Sequence, residues 1–120
     1  MPDALASYRD TMRRRGDQAR REEEQRRRHA QNTARHVAEY LRRTYGVDRV
    51  MLFGSMAGDE IPLGPRSDID LAVWGLDKAD YYEAVARVQD KATPFQVDLV
   101  RIEQAPESLR DAVRREGRDT

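Results

Sequence analysis

Val50-Met51-Leu52-Phe53-Gly54-Ser55, a polar loop, and then Ser67-Asp68-Ile69-Asp70-Leu71-Ala72-Val73 are the stretches whose reading decides the fold. One short apolar run stops at a Gly-Ser pair. The next carries two aspartates one residue apart. Read as a strand, the second run sends alternate side chains to opposite faces. Asp68 and Asp70 then share a face, and Ile69, Leu71 and Val73 take the core-facing one. Adjacent carboxylates of this kind repel each other unless water solvates them or a hard cation such as Mg²⁺ sits between them.

Working outward, residues 49–53 read as a buried first strand, and Gly54-Ser55 turns the chain. Ser55 with Met56-Ala57 is expected to start a helix, which puts backbone N–H groups where a phosphate can bind. The two glycines and two prolines between Gly58 and Arg66 mark a loop. Residues 68–74 form the second strand, and Asp77 caps a helix over about 78–92 with Tyr81, Ala84, Val85 and Val88 on one face. After Thr93-Pro94 comes a third strand over Phe95–Val100, interrupted by Asp98. Pro106 then opens a short helix with Leu109 and Val113 at i, i+4, ending near Gly117.

A strand-helix-strand unit lays its two strands parallel. That brings Asp98 toward Asp68 and Asp70. Three carboxylates beside a phosphate-binding turn suit metal-assisted phosphoryl or nucleotidyl transfer, in which two Mg²⁺ ions clamp the attacking and leaving oxygens. Each piece has a plainer reading, since a Gly-Ser turn is common and an Asp-x-Asp often only caps or is solvated. The conjunction in order and spacing carries the argument.

Upstream, residues 1–46 read as a long charged helix, with Gly46 as its left-handed terminator and Gly16 as a break point. Leu5, Tyr8 and Met12 make one small apolar stripe; Ala30, Ala34, Val37 and Leu41 make a second, which should pack on the domain formed by residues 47–120. Between them, Glu22, Glu23 and Glu24 each precede an arginine by four, the spacing of intrahelical ion pairs. His29 and His36 on this helix read as surface residues rather than zinc ligands. Trp74 and Tyr81-Tyr82 read as core or rim residues, with Trp74 also able to touch a base.

The chain has 120 residues, 37% of them charged, with no cysteine and a formal net charge of zero. One small core is affordable at this length, and neither disulfides nor thiolate metal sites are available. No run is long enough to span a bilayer. Arg9 and Asp10 interrupt any signal-like segment, so a cytoplasmic protein is expected. Residues 1–46 hold twelve arginines against seven acidic side chains, and the remainder is acidic by the same margin. The Glu22-Glu23-Glu24 run weakens a nucleic-acid reading of this basic arm.

Leu52-Phe53-Gly54-Ser55, Ser67-Asp68-Ile69-Asp70-Leu71 and Val97-Asp98-Leu99-Val100, in that order, resemble the minimal nucleotidyltransferases of the DNA polymerase beta superfamily over about residues 35–117. The resemblance implies an α/β (α+β) nucleotidyltransferase fold, a small mixed three- to four-stranded sheet with helices packed on one side. It also implies that Asp68 and Asp70 hold Mg²⁺ with Asp98 as the third carboxylate, and that Gly54 and Ser55 bind the triphosphate of ATP or another NTP. Arg66 and Ser67 are candidates for the same nucleotide site. The arginine that family members often carry shortly after Gly-Ser is absent here, and Arg66 is the candidate stand-in. Many stand-alone members of the family are antitoxins paired with a helical HEPN-type partner, and some of these adenylylate a tyrosine of that partner. The function so implied is a Mg²⁺-dependent nucleotidyltransferase acting on such a partner. A non-catalytic antitoxin that works by docking, and an aminoglycoside-type enzyme, are the alternatives.

Overall fold

The computed structural model describes residues 3–58 and 69–120. The N-terminal helix α1 runs from Ala4 to Tyr45. It starts where Asp3 accepts from the Leu5 N–H at 3.0 Å. It stops at Gly46, whose φ of 66° belongs to the left-handed region that glycine tolerates. Gly16 does not break it. A glycine still makes both of its backbone bonds, and its cost of about 1 kcal/mol is small among the flanking Arg, Gln and Ala residues. At 1.5 Å per residue α1 is about 63 Å long, which accounts for most of the 71 Å long axis of the molecule.

Burial on α1 begins at Ala30 and continues through Ala34, Val37, Ala38 and Leu41. Three alanines let the helix lie close on what it covers. Leu5, Tyr8 and Met12 remain 51%, 61% and 45% exposed, so the first half of α1 projects from the domain. Arg20 pairs with Asp17 at 3.4 Å on this exposed part. Arg27, one of the three arginines that follow a glutamate by four, also reaches off the helix, as described below.

Four strands make one sheet: β1 (Arg49–Phe53), β2 (Ile69–Trp74), β3 (Val97–Arg101) and β4 (Arg118–Asp119), in the order β3-β2-β1-β4. β1 is antiparallel to both neighbours, and β2 and β3 are parallel. Alternation divides the core in two. Val50, Leu52, Ile69, Leu71, Val73 and Leu99 face α1 and the second helix, α2 (Tyr81–Ala92). Met51, Phe53 and Ala72 face the other way and meet Ile102 and Val113. The third helix, α3 (Glu107–Glu116), therefore covers the opposite face, and the sheet has helices on both sides rather than one.

Element ends differ from those expected. The helix after Asp77 is divided: Asp77 accepts from the Ala79 N–H at 3.0 Å and caps a single 3₁₀ turn, Lys78–Asp80, before α2 begins. Thr93-Pro94 is a cis peptide, and Phe95 belongs to the turn that follows, so β3 begins two residues later than its apolar run. Pro106, with ψ 156°, is the N-cap of α3 rather than its first helical residue. The side chains of α2 shield the outer edge of β3: Gln89 Oε1 accepts from the Val97 N–H at 3.0 Å, and Tyr81 donates its O–H to the Leu99 carbonyl at 2.8 Å.

Candidate functional site

Two registers bring the candidate residues together. Phe53, the last residue of β1, lies opposite Asp70 on β2. Asp70 in turn lies opposite Asp98 on β3. Neighbouring strands are about 4.8 Å apart, so both carboxylates spring from adjacent points at one end of the sheet. They share the face of Ala72, opposite to that of Ile69, Leu71 and Leu99. Asp70 is half-buried and Asp98 exposed.

The turn after β1 completes the corner. Gly54 has φ +75°, and a Cβ built there would overlap Oδ2 of Asp70 and stand 3.3 Å from its Cγ. Glycine is therefore required twice, for its backbone conformation and for the close approach of the aspartate. Gly54–Met56 form one 3₁₀ turn rather than the start of a longer helix. Met56 and Ala57 are buried and anchor it.

The back of the turn is held from α1. Arg27 donates through Nη1 to the carbonyl of Ser55 at 2.7 Å and also to that of Gly58. Gln31, one helical turn further on, donates from Nε2 to the Met56 carbonyl at 2.9 Å. Sequence reasoning missed both residues. The available signal was their i, i+4 spacing on the side of α1 that also carries Ala30 and Ala34.

Arg66, Ser67 and Asp68 lie outside the described residues. Among the described residues, no group of three His, Cys, Asp or Glu side chains is arranged to hold a metal; this part of the chain brings two carboxylates together, Asp70 and Asp98. Hard oxygen donors of this kind suit Mg²⁺, which takes one or two protein carboxylates and completes its shell with water and phosphate oxygens. His29 and His36 are exposed, as expected, and His29 meets the ring of Phe95 edge-on at 5.0 Å. Trp74 sits four residues along β2 from Asp70, about 13 Å away, under the guanidinium of Arg49 at 5.2 Å. Beside Asp98 a hollow of about 400 Å³ opens between Tyr81, Tyr82, Val100, Pro106 and Leu109.

The family described as polymerase beta, nucleotidyltransferase, matches residues 35–119. The chain belongs to this family. The nucleotidyltransferase match spans the whole sheet, Gly54, Ser55, Asp70 and Asp98, and leaves Arg27 and Gln31 outside it. Among curated proteins none matches the chain. Among solved structures, this nucleotidyltransferase is similar to the toxin-antitoxin MntA-HepT, at 26% identity and TM-score 0.56 over 74% of this chain and 69% of that one. It is also similar to a toxin-antitoxin with AMP-PNP, at 27% identity and TM-score 0.57 over 70% and 69%. A third likeness is to the tri-AMPylated Shewanella oneidensis HEPN toxin in complex with MNT antitoxin, at 26% identity and TM-score 0.56 over 75% and 70%.

Proposed function

We propose that this nucleotidyltransferase is the antitoxin of a HEPN-type toxin and moves a nucleoside monophosphate, AMP from ATP, onto a hydroxyl of that partner. The observation that carries the reading is the corner where Asp70 lies against Gly54 and is in register with Asp98. The likeness to toxin-antitoxin complexes, one with AMP-PNP and one with a tri-AMPylated toxin, supports the nucleotide and the partner.

In this reading Asp70 and Asp98, with Asp68 from the undescribed segment, hold Mg²⁺. The ion, when bound, supplies positive charge that offsets the charge building on the phosphate oxygens during transfer. The Gly54-Ser55 turn receives the β- and γ-phosphates, and Arg66 and Ser67 are assigned to the same nucleotide. The hollow beside Asp98 admits the acceptor side chain. Asp98 accepts the acceptor's proton as its oxygen bonds to the α-phosphorus, and the bond to the bridging oxygen breaks to release pyrophosphate. Asp70, fixed between the turn and β3, keeps the reacting phosphate in line. Holding both reactants in this geometry is itself a large part of the rate.

The test is transfer of label from α-labelled ATP, with Mg²⁺, to the protein encoded by the adjacent gene. Labelling that survives Asp70→Asn would remove the assigned site. The projecting stripe Leu5, Tyr8 and Met12 favours a second reading, neutralisation by docking alone. Deleting residues 1–22 would then abolish neutralisation while Asp70→Asn left it intact.

A further inference from the structure

We infer that Arg27 and Gln31 of α1 are positioning residues for the nucleotide: they hold the Gly54–Gly58 turn in its phosphate-receiving shape from behind. This rests on the reading of that turn as the triphosphate site.

The turn is one 3₁₀ turn long, and so short a segment cannot keep its own geometry through internal bonding. A single turn fixes several dihedral angles for very few hydrogen bonds, and its last carbonyls have no partner within it. Arg27 and Gln31 supply those partners, engaging the carbonyls of Ser55, Met56 and Gly58. Carbonyl and N–H groups of a helical turn point in opposite directions along its axis. Fixing the carbonyls toward α1 therefore fixes the N–H groups toward the end where Asp70 lies. The guanidinium, half-buried and already engaged by two carbonyls, also places a permanent positive charge behind a site that must receive a polyanion.

The two residues are themselves well seated. They adjoin the alanine face of α1, where Ala30 and Ala34 are fully buried, so the helix cannot retreat from the turn without opening the core. Further out, Thr11, Arg14 and Gln18 bond within α1 itself. The helix thus has two parts with different work, an outer arm and an inner brace.

The experiment is binding of MgATP, and separately of magnesium tripolyphosphate, to the full chain by calorimetry, alongside thermal unfolding. Arg27→Ala should weaken both ligands by about tenfold and Gln31→Met by about threefold, the size expected for hydrogen bonds of this kind. Arg27→Lys should restore part of the affinity, since an ammonium can still reach a carbonyl. Arg20→Ala, on the outer arm, should change nothing. Wild-type affinity in folded Arg27→Ala overturns the inference, as does a loss confined to MgATP with tripolyphosphate unaffected. If Arg27→Ala does not fold, undiminished binding by Gln31→Met and Arg27→Lys overturns it equally. If the unaltered chain binds neither ligand, the triphosphate reading itself fails and the inference falls with it, an outcome distinct from the others.

Discussion

The α-carbon of Gly54 and the carboxylate of Asp70 occupy adjoining space so tightly that no side chain fits between them. The chain reverses at φ +75° at the one point where the aspartate needs room. Backbone conformation and the approach of the Asp70 carboxylate therefore constrain the same residue.

Gly54→Ala should consequently carry two costs. The left-handed backbone accounts for about 1–2 kcal/mol, and the clash with Asp70 adds to it or displaces the carboxylate. Urea unfolding should show the first. Loss of MgATP affinity well beyond that drop in stability should show the second.

In the proposed mechanism Asp70 and Asp98 act on one reacting centre, so their effects should not multiply. Asp70→Asn and Asp98→Asn are each expected to lower transfer by about a hundred- to a thousandfold. The double variant should be little worse than the poorer single one. Single-turnover label transfer measures this, and circular dichroism should show an unchanged fold.

The two stripes of α1 should differ sharply in energetic weight. Leu41 is fully buried, and Leu41→Ala should cost about 2–5 kcal/mol. Leu5 is 51% exposed, and Leu5→Ala should fall within about 0.5 kcal/mol. Denaturant titration of the two variants side by side is sufficient.

Arg49 clasps Asp119 through Nε at 2.8 Å and Nη2 at 3.1 Å, tying β4 to β1. The hydrogen bond from Arg49 holds the Asp119 carboxyl below its ordinary range. The folded state then binds fewer protons at this position than the unfolded chain. The stability it contributes is complete above the ordinary carboxylate pKa of about 3.9 and is lost as pH falls through the lower folded value. In Arg49→Ala, NMR titration of Asp119 should return to the ordinary range. Both groups are exposed, so the effect on global stability should be small.

Much of this arrangement was legible because the side-chain period of a strand is fixed. Once residues 69–74 are a strand, Asp70 must oppose Leu71, and a parallel crossover must bring Asp98 alongside. The brace was illegible for the converse reason. Arg27 stands in a run where a glutamate four residues earlier offers a local partner, and spacing alone cannot show that distant carbonyls compete for it. β4 was invisible because Arg118–Asp119 has no apolar pattern; it exists through pairing with Met51 and Leu52. The placement of α3 was equally hidden, since Leu109 and Val113 would serve either face of the sheet.

Gln89 and Tyr81 have one more effect. A strand at the margin of a sheet is a template on which another chain can grow, and such growth is a common route to fibres. Here α2 satisfies the Val97 N–H and the Leu99 carbonyl, and the opposite margin is only two residues long. Sheet extension from copy to copy is thus discouraged at both ends. Away from those margins, the projecting arm of α1 presents an open apolar stripe, Leu5, Tyr8 and Met12.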